Sequence, residues 1–503
     1  MNVLLADRRF LALLLGIALL KLALAHFLPM TGDEAYFIFW SQHPDYGYYD
    51  HPPMVAWMLA PFLALGDVEV WLRLPAVLIS LFIGAVIYVL VAPHGRSLAR
   101  WSALLYLLTP INLVGVLVTT DTPLLLWSFL SALVFYRAQQ TGRLVDYLLC
   151  GFLLGLAFLA KFFAGLLGVA YALFLLVHLR RQRRALAALS FIVLGTLPAI
   201  ALNLWWNYTH CWDNYLFNLV NRTQGSGFGF EYVLKYGILL LYLLTPALIY
   251  YIYRARSVLW QQFLSPVAGV FIGLFFIPMG LFLLLSFTAS IGLHWLLSFY
   301  PFLVLGLAQV IGTTAMRRAT YFMLSFSLLH VVFLAVIIAG APRLLDGLGD
   351  DYKSVVIGTH GPQLAALALE QEGYVPATDS YALSAKLAYD GGAHFVVFGE
   401  GSYHGRQDDI VTDYRELDGR NFAILAENPV DYRFAWYFDE FEARVVDIEG
   451  ARFYLGLGRG FRYARYREEM LAWIVDLYYT MPEGLPWGAC YMYERYDLHP
   501  RGQ

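Results

Sequence analysis

Apolar runs of about 17–25 residues recur from the N-terminus to about residue 340, each long enough to cross a hydrocarbon core of about 30 Å. A chain patterned this way must bury its backbone polar groups inside helices, because a bilayer offers them no water. The runs lie near 9–28, 71–92, 100–118, 122–137, 145–160, 163–179, 185–204, 233–253, 264–288, 293–312 and 319–340. The tail from 345 to 503 alternates polar and apolar residues and is rich in charge. The expected fold is therefore a polytopic α-helical membrane domain over 1–344, with about eleven transmembrane helices, and a soluble α/β domain over 345–503. Only 14 % of the residues are charged, against roughly 25 % in a soluble domain. A net charge of −3 excludes the basic footprint of a nucleic-acid partner.

Arginine marks alternate connections: Arg8–Arg9, Arg96–Arg100, Arg137–Arg143, Arg180–Arg184, Arg254–Arg256 and Arg317–Arg318. The intervening loop 29–70 carries no Lys or Arg. Basic residues are retained in the cytoplasm. This places the N-terminus inside, and loop 29–70, the segment 205–232 and the tail outside. The first run has a basic start and an Ala23-Leu24-Ala25 sequence, but it is too long for a signal peptide and reads as a retained helix. Cys150 lies in an apolar run; Cys211 and Cys490 fall on the outer side and could pair, but with no motif around them free thiols are the expectation.

Several polar groups stand at the outer ends of the runs, where an ionised side chain is tolerated only for a reason. Asp33 and Glu34 follow the first. Asp121, in "VTTDTPLLLW", and Lys161, in "GLAFLAKFFAGLLG", sit at short outer turns. Arg222, in "NLVNRTQGSGFGF", and His294, in "SIGLHWLLSFYP", complete the set. Individually each has a structural reading as a cap, a headgroup contact or a packed histidine. Together, opposite charges at one membrane level suit an ionised, membrane-anchored substrate. A transporter would carry them nearer the midplane, on broken helices.

The loop itself reads "TGDEAYFIFWSQHPDYGYYDHPPMVAW". Pro52-Pro53 holds His51 extended, and "MVAWMLAPFLAL" is too short to span, so it lies in the interface. Asp33, Glu34, His43, Asp50 and His51 are metal-ligand types without metal-site spacing, so no resident cofactor is expected. Asn207 and Asn221 head glycosylation triplets, and "QGSGFG" reads as a hinge-like lid. In the tail, "YKSVVIGTH" and "AHFVVFGEG" read as strands, "GPQLAALALEQEG" and "YREEMLAWIVDLYY" as helices, and "FEARVVDIEGARFYLGLGRG" as a hairpin.

That loop resembles the first outer loop of bacterial members of the dolichyl-phosphate-mannose–protein mannosyltransferase superfamily. These are glycosyltransferases of family 39 with the GT-C fold. The likeness continues through "RLPAVL", "TTDTPLLLWSF", "GLAFLAKFFAGLLG", "WWNYTHCWDNYLFNLVNR" and "LHWLLSFYP" to "DSYALSAKLAYDGGAHFVVFGEG". It implies a multi-pass enzyme of the bacterial inner membrane. The donor it implies is a polyprenyl-phosphate-linked sugar, and the acceptor an extracytoplasmic glycolipid, glycan or protein, with inversion at the anomeric carbon. Asp33 then matches the general base, Glu34 its companion, and Asp50 the acid before the Pro pair. The lipid A aminoarabinose transferases carry a lysine where this chain has His51. Asp121 matches an acid, and Lys161 a cation, that are important in those transferases. Arg222 resembles a donor-phosphate arginine, and His294 falls near a position that is often Lys in relatives and is a candidate for the same phosphate. His51 is a candidate substrate contact, as is Tyr49, whose ring, with those of Tyr46, Tyr48 and Trp57, suits either a membrane-interface belt or a platform for a sugar or polyprenyl tail. The competing reading is a flippase for a lipid-linked glycan.

Overall fold

In the computed structural model, a helix falls within each predicted span, and the differences lie in where the helices end. The structure describes residues 2–178, 184–221, 227–340, 350–400, 407–482, 484–486 and 488–500. Two compact units result, interleaved in sequence. The first comprises Met1–Phe27, Ala64–Leu202 and Gly225–Ala335; the second comprises Leu28–Leu63, Asn203–Gln224 and Val336–Gln503. The expected division after residue 344 falls in 341–349, outside the described residues. The first outer loop and the segment after Thr209 belong with the tail because their rings share its core: Tyr49 of the loop and Trp212 and Phe217 of the segment are buried with Phe398, Phe434 and Tyr466.

Among the described residues, five helices are long and apolar enough to cross a membrane: Arg8–Phe27, Leu74–His94, Ala185–Thr209, Phe230–Phe263 and Thr313–Val336. Leu144–Phe158, Ala164–Val177, Val270–Leu285 and Leu293–Ala308 are apolar but shorter. Lengths alone therefore do not establish eleven crossings. Close packing of these helices uses absent side chains. A Cβ on Gly151 would collide with the Ile192 carbonyl oxygen, and one on Gly195 with that of Leu148, the small-residue contact that lets membrane helices approach.

The third predicted span is the one most altered. Its helix, Arg96–Leu107, stops short, and only a single turn, Pro110–Leu113, follows before Asp121–Thr141 begins. Pro110 has no N–H to continue a helix and drives Thr109 into an extended conformation. Irregular backbone at this depth survives only where it lines a cavity or is buried in protein, and this stretch lines a cavity beside Asp121.

The second unit is built on a five-stranded sheet: β1 (Tyr374–Thr378), β2 (Val396–Val397), β3 (Asn421–Ala426), β4 (Phe438–Ile448) and β5 (Ala451–Phe461). Their order is β2-β1-β3-β5-β4. β1 runs parallel to β2 and β3, and β5 antiparallel to β3 and β4. Residues of β3 alternate between two cores: Phe422 and Ile424 face the aromatic one, Ala423 and Leu425 the other. The predicted hairpin is β4–β5, closed by Glu449 and Gly450, both at positive φ (51° and 86°), as a two-residue turn of matching twist requires.

Two expectations are corrected. "YKSVVIGTH" is not a strand; it forms the first part of helix Asp350–Leu369, kinked at His360 ahead of Pro362. Its β-branched run imitates a strand, but Tyr352 and Val356 are spaced for one helix face and bury together with Leu364 and Ala368. Cys211 and Cys490 are not free: they form a disulfide across 279 residues of sequence. Sequence spacing carries no information about such a pair, because its closeness is set entirely by packing. Replacing Cys490 by serine is expected to cost about 2–5 kcal/mol, read as a lower Tm of the purified protein. An unchanged Tm would show that packing alone holds residue 211 in place. Asn207, the first glycosylation candidate, is fully buried and donates to the Asn203 carbonyl, so no glycan fits there.

Candidate active site

Asp121 opens helix Asp121–Thr141, where the N-terminal end of the dipole favours a carboxylate. Its backbone N–H donates to Thr119 Oγ1 at 3.2 Å, which sets the first turn. Lys161 stands in the turn between Leu144–Phe158 and Ala164–Val177 and is only 6 % exposed. Its ammonium donates to Asp121 Oδ2 at 2.8 Å and lies 5.7 Å from the centre of the Phe163 ring. His294 Nε2 is 3.9 Å from the same carboxylate oxygen, on a half-exposed side chain. Asp121 Oδ1 is buried with no hydrogen-bond partner among the described residues. Three groups from well-separated stretches of the chain thus meet as one charged cluster in the first unit.

The cluster opens on a cavity of about 290 Å³ lined by Asp121, His294, Ser80, Asn112, Tyr106 and Tyr300 among mostly apolar side chains. The hydroxyls of Tyr106 and Tyr300 are buried without partners among the described residues. An apolar hollow with a few convergent polar groups is the usual make-up of a ligand site. Behind it lies Lys21, fully buried in helix Arg8–Phe27, whose ammonium donates to the Asn112 carbonyl. Asn112 in turn accepts from Ser80 Oγ at 2.8 Å. Residue order did not single out Lys21, although a cation inside an apolar helix is itself a signal of a site.

The second unit holds the acidic loop. Thr31 caps helix Gly32–Gln42: its Oγ1 accepts from the Glu34 N–H at 3.2 Å, and Glu34 Oε2 accepts from the Thr31 N–H at 3.3 Å. The Glu34 carboxylate is thus committed to a capping box and buried. Asp33, one residue before it, is accessible to solvent. Surrounding protein still desolvates it in part, and with the Glu34 charge beside it this raises its carboxyl above the ordinary range. Helix Tyr381–Gly391 of the tail packs on this turn, with Ala382 against Gly32. The hydroxyl of Tyr381 feels the charges of both Asp33 and Asp50, which, after burial, raise its pKa.

Asp50 and His51 sit side by side, Oδ2 to Nε2 4.0 Å, both largely covered. Their turn is held by side-chain amides. Asn214 donates to the carbonyls of Tyr48, Tyr49 (3.1 Å) and His51 (3.4 Å), and Asn218 to that of Asp50 (2.9 Å). Tyr49, expected beside the substrate, is instead 1 % exposed, its ring packed edge-on to Phe217 and Tyr479. Its neighbours are aromatic because loop, tail and segment 203–224 share one core. Arg222 and the glycine-rich 225–226 lie outside the described residues. Among the described residues, no three His, Cys, Asp or Glu side chains are placed to hold a metal ion.

Further groups are not marked by residue order. Asp213, Asp408 and Asp409 are buried in the second unit. Trp212 precedes Asp213 and Ile410 follows Asp409 in "CWDNYLF" and "QDDIV", a faint signal that these two turn inward, and Asp408 has polar neighbours on both sides.

Residues 50–206 match the family described as dolichyl-phosphate-mannose-protein mannosyltransferase. The lipid A galacturonosyltransferase RgtD of Rhizobium johnstonii is 31 % identical over 229 residues, which cover 44 % of this chain and 46 % of that protein. The match therefore spans about half the length of this curated relative. The structure of ArnT from Cupriavidus metallidurans bound to undecaprenyl phosphate superposes with a TM-score of 0.62 at 16 % identity, covering 90 % of this chain and 98 % of that one. The apo form of ArnT gives 0.60 at 15 % identity with the same coverage. Residues 50–206 thus carry the pattern of the dolichyl-phosphate-mannose-protein mannosyltransferase family, and the chain as a whole shares the fold of ArnT.

Proposed function

We propose that this chain is an integral-membrane glycosyltransferase that moves a sugar from a polyprenyl phosphate to a lipid acceptor on the extracytoplasmic face, without a resident metal. The observation that carries this reading is the Asp121–Lys161–His294 cluster at the mouth of an apolar cavity, in a fold shared with a protein that binds undecaprenyl phosphate. The bond between the anomeric carbon and the phosphate oxygen breaks as the acceptor oxygen attacks from the opposite face. The leaving phosphate gains a second negative charge and needs no proton, since its second pKa is about 6. Fixed cations offset that charge, a role that falls to Lys161 and Arg222, and His294 adds to it from its place 3.9 Å from the carboxylate that Lys161 contacts. The acceptor hydroxyl loses its proton to Asp33, whose raised pKa makes it a stronger base than an ordinary aspartate. Asp50 and His51 line the substrate side of the loop, and Asp121 orients Lys161.

The same reading places the protein in a bacterial inner membrane, N-terminus inside and tail outside. The Cys211–Cys490 disulfide supports that orientation, because such bonds persist in oxidising compartments. The test is reconstitution in liposomes with a polyprenyl-phosphate-linked sugar and lipid A, read by mass spectrometry. A new glycosidic bond is expected. Movement of the lipid-linked sugar across the bilayer with no bond formed would overturn the reading in favour of a flippase.

A further inference from the structure

In the second unit, the buried Asp213, Tyr479 and Asp409 and the half-buried Tyr491 form a line. Tyr491 Oη is 2.9 Å from Asp213 Oδ2, Tyr479 Oη is 3.0 Å from Tyr491 Oη, and Tyr479 Oη is 3.1 Å from Asp409 Oδ2. Three oxygen–oxygen contacts at hydrogen-bond distance need three protons. The two phenols supply two. If Tyr479 donates to Tyr491 and Tyr491 to Asp213, then Asp409 must be the donor to Tyr479. If the phenols point the other way, Asp213 must donate to Tyr491. In either direction one of the two carboxyl groups is protonated; the remaining arrangement, both phenols donating outward to ionised carboxylates, leaves the 3.0 Å phenol–phenol contact with no hydrogen in it.

We propose that Asp213 and Asp409 share one proton, and that through it they act as positioning residues for the Tyr48–His51 turn. The connection is short. Asp213 immediately precedes Asn214, whose amide holds the carbonyls of that turn, and Asn218 lies one helical turn beyond. Gln407, two residues before Asp409, accepts from the Tyr49 N–H at 2.8 Å. The shared proton therefore fastens both amide clamps to the tail at Tyr479 and Tyr491. Loss of the proton leaves two buried carboxylates and a phenol–phenol contact with no hydrogen in it, and the line parts.

The surroundings favour the proton. Both aspartates are buried, Asp213 completely, and Asp213 Oδ1 has no partner among the described residues. Burial, and then the charge of Asp409, push the Asp213 carboxyl far up, while the Tyr491 hydrogen bond opposes this. The other groups facing the line are Asp408 beside Asp409, Asp50 next to Tyr49, and the hydroxyls of Tyr49, Tyr478 and Tyr493. The nearby cation, Arg495, is engaged by the carbonyls of Asp409, Ile410 and Thr412.

For a carboxyl raised on folding, the native state holds more protons than the unfolded chain, so stability falls as pH climbs from the ordinary carboxylate range to the raised value, then levels. The test measures Tm against pH for the full-length protein in detergent and for Asp409→Asn, with Asp213→Asn as the second variant. Asparagine donates an N–H to the neighbouring phenol, so it replaces the protonated carboxyl. The expected result is a folded variant whose Tm falls less with rising pH than the parent's, and whose sugar transfer persists to higher pH. An unchanged pH slope in both variants overturns the proposal, as does failure of both to fold. This inference rests on the proposed transferase function only for its transfer readout. Tm needs no activity, so an inactive protein with the expected Tm change would refute the transferase reading and leave the shared proton standing.

Discussion

Asp33→Asn is expected to lower sugar transfer by roughly 10²–10⁴-fold, the range that a positioned general base supplies. Asparagine keeps the shape and the first helical turn, since the capping box uses Thr31 and Glu34 and not Asp33. The loss should therefore fall on turnover, with Tm and donor binding near the parent's. The pH dependence has a definite sign. A base must be ionised, so transfer by the parent should decline on acidification through a pKa above about 3.9, the ordinary aspartate value. The measurement is the initial rate from a lipid-linked sugar donor in proteoliposomes. Undiminished transfer by Asp33→Asn would remove Asp33 from the mechanism.

Lys161→Met is the second large effect. The pair with Asp121 is nearly closed to solvent, with side-chain exposures of 8 % and 15 %. Removing one partner of such a pair leaves the other uncompensated, at about 3–5 kcal/mol. Stability and transfer should both drop. The double variant Lys161→Met with Asp121→Leu separates the two causes, because an apolar replacement of a whole pair is often neutral. Its Tm should return toward the parent's, while transfer stays lost for want of the cation that offsets the leaving phosphate. Transfer recovered along with Tm would make Lys161 a purely structural residue.

Much of this molecule was legible from residue order. Periodicity and run length located the helices, because an apolar face repeating every 3.6 residues is a local property. Turn chemistry located the hairpin at Glu449-Gly450. Polar residues at the ends of apolar runs singled out Asp33, Asp121 and Lys161, since an ion there carries a cost that residue order alone reveals. The errors were also local. The Val355-Val356-Ile357 run imitated a strand, and only its packing against Leu364 and Ala368 shows the helix face.

Sequence by itself determined that the chain is a helical membrane bundle with a mixed tail, and which charges stand out against it. Tertiary structure decided which of them meet: the Lys161–Asp121 contact across 40 residues, the disulfide across 279, and the grouping of loop 28–63 with the tail. It also turned Asp213 and Asp409 inward against Tyr491 and Tyr479. The reason is physical. Which face a residue presents follows from the few residues on either side, whereas its partner depends on how distant segments pack, and no short window of sequence records that.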